Sequence, residues 1–104
     1  MAATPWLTYA DFTGLVGEVF TLALPDGRKV PLTVEEVSAL GRDGGAGPDG
    51  TPREQFSVVF LGPSDPLLGQ GTQELSHGAL GDLALFLVPI GADADGVRYE
   101  AVFA

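Results

Sequence analysis

His77 is the sole histidine of the sequence and the first residue to weigh for chemistry. A catalytic imidazole needs a nucleophile within reach and an acid that orients it. Its neighbour Ser76 does not meet that need, because adjacent residues on a strand point to opposite faces. Ser57 and Ser38 could approach only through the fold. The expected role of His77 is therefore a strand-end histidine bonded to a neighbouring loop. Asp93-Ala94-Asp95-Gly96 looks like a fragment of a calcium loop. An EF-hand requires further oxygen ligands and a bidentate glutamate at the loop's twelfth position, where this chain has Ala104. No helices are predicted on either side, so the segment reads as a hairpin turn.

Glu35-Glu36 places two carboxylates together, but adjacent residues on a regular strand diverge, whereas glycosidase pairs face each other across a cleft. Gly69-Gln70-Gly71-Thr72 and the glycine-rich stretch 41–50 lack the Gly-Lys-Ser/Thr of a phosphate-binding loop, and neither clearly opens a helix. Trp6, between Pro5 and Leu7, is an anchor for a partner or a cap on the core. No catalytic, cofactor-binding or metal-binding set is expected, and the chain reads as a non-enzyme.

The elements that must position these residues are mostly strands. Residues 1–16 read as an N-terminal arm and a short helix, the helix over 5–16. Thr8 serves as N-cap with Asp11 three residues on, and Gly14 and Gly17 end it. Phe20, Leu22 and Leu24 alternate with Val19, Thr21 and Ala23, and Pro25-Asp26-Gly27-Arg28 turns the chain into a second strand over 29–40. The alternation of Val30, Leu32 and Val34 slips before Val37, which predicts a bulge at Glu35-Glu36. Pro31 cannot donate to a ladder and predicts an edge strand.

Residues 41–53 hold five glycines and two prolines and read as a flexible loop. Gln55–Leu61 and Thr72–His77 follow as strands, parted by Gly62-Pro63-Ser64-Asp65-Pro66. Leu83–Ile90 is nearly all apolar, as in a central strand covered on both faces. Asp95-Gly96 turns it into a last strand with Val97, Tyr99, Ala101 and Phe103 inward. About six strands with regular turn signals make residues 1–104 one all-β domain, a small antiparallel sandwich or barrel. Its core is expected to hold Phe20, Leu22, Val30, Leu32, Phe56, Val58, Phe60, Leu75, Leu85, Leu87, Tyr99 and Phe103.

Bulk composition narrows the partners. The 104 residues carry 14 acidic and 5 basic side chains, a net charge of −9. Such a field repels phosphate, so neither nucleic acid nor an anionic membrane surface is an expected partner. There is no cysteine, which removes disulfides, zinc ribbons and thiol catalysis. Residues 1–6 lack a signal-peptide pattern and the longest apolar run is far short of a bilayer span, so a cytoplasmic protein is expected.

Several segments occur together in order: Phe12-x-x-Leu15-Val16-Gly17-Glu18-x-Phe20, Phe56-Ser57-Val58-Val59-Phe60 with Gly62-Pro63, Pro66-Leu67, and Gln70-Gly71-Thr72-x-x-Leu75-x-His77. Leu80-Gly81, Leu85-Phe86-Leu87-Val88-Pro89-Ile90-Gly91 and Tyr99-Glu100-Ala101-Val102-Phe103 complete the set. In these the chain resembles a family of small uncharacterised bacterial all-β proteins, a domain of unknown function associated with phage-tail-collar-like genes. Members often carry an aromatic residue where Gln73 stands. The resemblance implies a structural or accessory component and supplies no catalytic residues. The expected function is an assembly or adaptor module, with a small-ligand-binding barrel as the alternative. Its partner would be another protein or a second copy, met at sheet edges near Pro31 and on the terminal strand. Trp6, Pro31, Glu35, Glu36, Tyr99 and Phe103 are the expected contact residues.

Overall fold

The computed structural model describes residues 8–46, 52–65 and 67–103. A short helix α1 (Tyr9–Thr13) precedes six strands: β1 (Val19–Ala23), β2 (Lys29–Ala46), β3 (Pro52–Gly62), β4 (Gly71–His77), β5 (Gly81–Asp93) and β6 (Gly96–Phe103). All neighbouring strands are antiparallel and close into a barrel in the order β1-β2-β3-β6-β5-β4. Of the two architectures the alternation allows, the barrel is the one adopted. One inward face per strand fills a barrel of this size with side chains, because so few strands leave no room for a channel.

The twelve expected core residues are all buried. The strands' alternation puts them inside, and the helix and a crossing loop close the two ends. Thr8 and Asp11 form the capping box: the Thr8 amide donates to Asp11 Oδ2 at 2.8 Å and the Asp11 amide to Thr8 Oγ1 at 3.3 Å. That box fixes a helix too short to persist alone, and its one buried residue, Phe12, plugs the barrel. The Phe12 ring lies 5.3 Å from Phe103, 5.9 Å from Phe56 and 6.1 Å from Phe20.

Between β3 and β4, which are parted by β6 and β5 in the ring, the described connecting residues are 63–65 and 67–70. Among these Leu68 is buried, and its amide donates to the Tyr99 hydroxyl at 3.0 Å. Tyr99→Phe leaves that buried amide without a partner and is expected to cost about 1–3 kcal/mol. A thermal melt read beside wild type checks this, and an unchanged Tm would refute it.

Three expectations change. Residues 41–46 and 52–53 of the expected flexible loop are strand, because β2 runs to Ala46 and β3 starts at Pro52, with Asp43 opposite Glu54; its residues 47–51 lie outside the described residues. The sheet edges expected at Pro31 and at the terminal strand are absent from the closed order: β2 lies between β1 and β3, and β6 between β3 and β5. Pro31 is tolerated because it pairs with Thr21 of β1, while the β2–β3 ladder begins two residues later at Thr33–Leu61. The strand containing Leu83–Ile90 is covered on one face only. Leu83, Leu85 and Leu87 are buried, whereas Phe86 and Ile90 are exposed. The bulge forms where the phase slips, between Val34–Phe60 and Glu36–Val59.

Candidate functional site

His77 is the last residue of β4 and closes the barrel against the segment entering β1. Its Nδ1 accepts from the amides of Ala79 at 3.1 Å and Leu80 at 3.3 Å, so the neutral ring carries its proton on Nε2. Nε2 lies 2.7 Å from Glu18 Oε1, and the imidazole stacks on Phe20 at 4.5 Å between centroids. The ring is 6% exposed and Glu18 is 50% exposed. Both ring nitrogens are thus used in holding strand ends together. Ser76 lies on the outward face and pairs with Thr21. The expected bonding of a strand-end histidine to a neighbouring loop is what the geometry contains, with the Glu18 contact added.

Arg98 of β6 joins three elements that are distant in sequence. Its Nε and Nη2 reach Glu35 Oε1 and Oε2 at 2.6 and 3.1 Å, a two-point grip on the β2 bulge. Its Nη1 bonds Asp93 Oδ2 at the end of β5. Asp93 Oδ1 accepts from the Asp95 amide at 2.8 Å, which sets the hairpin turn. Both Asp93 oxygens are therefore engaged in the turn. Among the described residues no group of three His, Cys, Asp or Glu side chains could hold a metal ion.

The Asp95 amide, and after it the Arg98 guanidinium, hold the Asp93 carboxyl below its ordinary value of 3.8. The Arg98 guanidinium is raised by Glu35 first and then by Asp93. A carboxyl lowered by folding stabilises the fold above its unfolded value and loses that contribution as pH falls through the folded value. Between pH 5 and pH 2 the wild-type Tm is therefore expected to fall more steeply than that of Asp93→Asn. Parallel Tm-against-pH curves for the two proteins would show that the clamp adds nothing.

The expected contact residues are scattered. Glu35 is held by Arg98, Glu36 is exposed opposite Val59, and Pro31 is exposed on β2. Tyr99 and Phe103 are 1% and 9% exposed inside the barrel, so neither is available at the surface; their inward phase on β6 overrides the contact role. Trp6 lies outside the described residues.

Elsewhere the surface holds an apolar area that was not expected. Phe86 and Ile90 of β5 are 52% and 50% exposed, and Val102 of β6 is 58% exposed. Half-buried Val88 pairs with Glu100, and Phe86 and Val102 each lie two residues further along the same outward faces. Between Ala84 and Ile90 the outward residues of β5 are thus as apolar as its inward ones. The unbroken run Leu83–Ile90 is the sequence signal for this face, since a one-sided strand with water outside would alternate.

The family model described as a domain of unknown function, DUF6916, matches residues 7–103. No curated protein and no solved structure matches the chain. Among the described residues no helix is long and apolar enough to cross a membrane.

Proposed function

From the membership of this chain in the DUF6916 family, a domain of unknown function, we propose that it is a non-enzymatic assembly or adaptor module that packs the outside of β5 and β6 against another protein. The support is the uncovered apolar face of Phe86, Val88, Ile90 and Val102. Each such side chain gains about 1.5–3 kcal/mol when fully buried, and its own fold buries none of the four completely. Interfaces take their energy from a few buried aromatic and aliphatic anchors, and Phe86 is the aromatic of this face. With no sheet edge at the positions first expected, contact through side chains replaces strand exchange there. A multi-subunit particle, such as the phage-tail-like assemblies associated with the resembled family, is a setting that would bury the face.

Light scattering on the purified protein and capture from its native host test the reading. The expected result is a particle well above 10.7 kDa, or a stoichiometric partner. Phe86→Glu is expected to weaken that association at least tenfold, about 1.4 kcal/mol or more, while leaving the melting curve close to wild type. A strictly monomeric protein that captures nothing would overturn it. The alternative, a barrel that binds a small ligand inside, has less support. The interior is filled by Phe20, Phe56, Phe60, Tyr99 and Phe103 packed with the aliphatic core.

A further inference from the structure

The barrel is closed unevenly. Every other neighbouring pair of strands is in register at five positions or more. At the β1–β4 seam only Thr21 pairs with Ser76 and Leu22 with Leu75. One end of the seam is latched by His77 and Glu18. At the other end the strands part. There Gly71, Thr72 and Gln73 pair with Leu87, Phe86 and Leu85 of β5 on one side and, among the described residues, with no strand on the other. Backbone donors and acceptors on that side form a short sheet edge in an otherwise closed barrel.

A cavity of about 200 Å³ opens on the outside over the Thr21–Ser76 rung and the first unpaired positions beyond the seam, Ala23 and Glu74. Leu75 and Leu83, both buried, lie beneath it. Thr21 and Ser76 add hydroxyls, Lys29 stands on the β1–β2 side, and Glu74 and Asp82 stand on the β4–β5 side. None of these three charged groups is ion-paired within the described chain. The carboxylates outnumber the ammonium, and the whole chain carries −9.

We propose that the open half of the β1–β4 seam is a docking groove for an extended, basic peptide segment, which adds to the Gly71–Gln73 edge of β4 and sets Lys or Arg side chains against Glu74 and Asp82. Main-chain pairing gives such a segment its grip, and alternate side chains reach the groove while the others face away. Lys29 disfavours a cation on the β1 side, so the carboxylates of the β4–β5 side fix where the peptide's charge lies. The acidic field of the chain steers a basic segment toward the surface. The groove rests on the reading of the chain as a protein-binding module but uses the unpaired edge of β4, whereas the apolar residues lie on the outward side of β5 and β6.

The test uses the full chain and a fluorescent eight-residue peptide of alternating Lys and Val, titrated at low salt by polarisation. Saturable one-to-one binding is expected, with amide shifts in a nitrogen–proton correlation spectrum centred on Gly71–Glu74. Glu74→Gln with Asp82→Asn, which keeps the groove's shape, is expected to weaken binding at least tenfold. The same peptide N-methylated at alternate residues along its pairing edge is expected to lose binding, although its charge is unchanged. Equal affinity for the methylated peptide would reduce the effect to unspecific charge attraction and overturn the proposal, as would shifts away from β4 or no binding at all. Val102→Glu, which alters the apolar face on β6, two strands away from β4, should leave this binding intact. Failure of the groove and failure of the apolar face are therefore read separately.

Discussion

Phe12→Ala is expected to lower the unfolding free energy by about 3–5 kcal/mol, the usual cost of removing a fully buried phenylalanine. The residue is 0% exposed and its ring meets Phe20, Phe56 and Phe103, so truncation empties one end of the barrel. Helix α1 has five residues and holds to the barrel through this side chain. Once the ring is gone, the helix should leave with it. Tyr9, which meets Phe56 edge-on at 6.2 Å, gives the helix a second but partly exposed contact. Phe12→Leu refills most of the volume and should cost less than about 1.5 kcal/mol. Urea melts give the two free energies, and hydrogen exchange shows whether α1 amides lose protection before the strands do. A Phe12→Ala protein within about 1 kcal/mol of wild type would mean that the plug is ornamental.

Gly96→Ala should be comparably severe for a different reason. Gly96 has φ of +139°, and a methyl group there would fall 2.1 Å from the Gly62 carbonyl oxygen. The obstacle is backbone, which cannot rotate aside as a side chain can. Gly62 is itself confined, because its own Cβ would lie 2.7 Å from Leu32 and 3.3 Å from Tyr99. Strain at the dihedral and overpacking together should cost about 2–5 kcal/mol, out of a total stability of about 5–15 kcal/mol. Gly27→Ala is the matched control. Its φ is +91°, but a Cβ there meets nothing within 4 Å, so only the dihedral term of about 1–2 kcal/mol remains. Equal losses for the two variants would remove the steric argument.

Much of the fold was legible because alternation on strands is local. Phe20, Leu22, Phe56, Val58 and Phe60 could be assigned inward from their spacing alone, and the slip between Val34 and Val37 located the bulge. The Thr8–Asp11 cap was legible for the same reason, since a capping box spans three residues. Leu68 was not, because two adjacent leucines between a proline and a glycine carry no period that says which one turns inward. Neither were the Glu18–His77 and Glu35–Arg98 contacts, whose partners lie 59 and 63 residues apart and meet only through the topology. The run Leu83–Ile90 was read as doubly covered because an apolar face turned to another molecule looks, in sequence, like one turned to a second layer. Edge assignments failed at Pro31 because one proline reports the loss of a single donor, and the β3 ladder simply starts beyond it. The same limit applies to the groove: two short strands that pair at two positions have the same residues as two that pair fully.

The brevity of the β1–β4 seam has a bearing on how the chain assembles and how it comes apart. Strands β1 and β2 can meet across a tight turn, as can β5 and β6, whereas the Glu18–His77 latch must wait until residues 59 positions apart have been brought together. Loop entropy therefore places closure of the ring late in folding, and a topology so rich in distant contacts folds on the millisecond-to-second scale. In the reverse direction, the two rungs at Thr21 and Leu22 are the fewest that hold any pair of neighbours, so thermal opening should start by unzipping there into a curled, six-stranded ribbon.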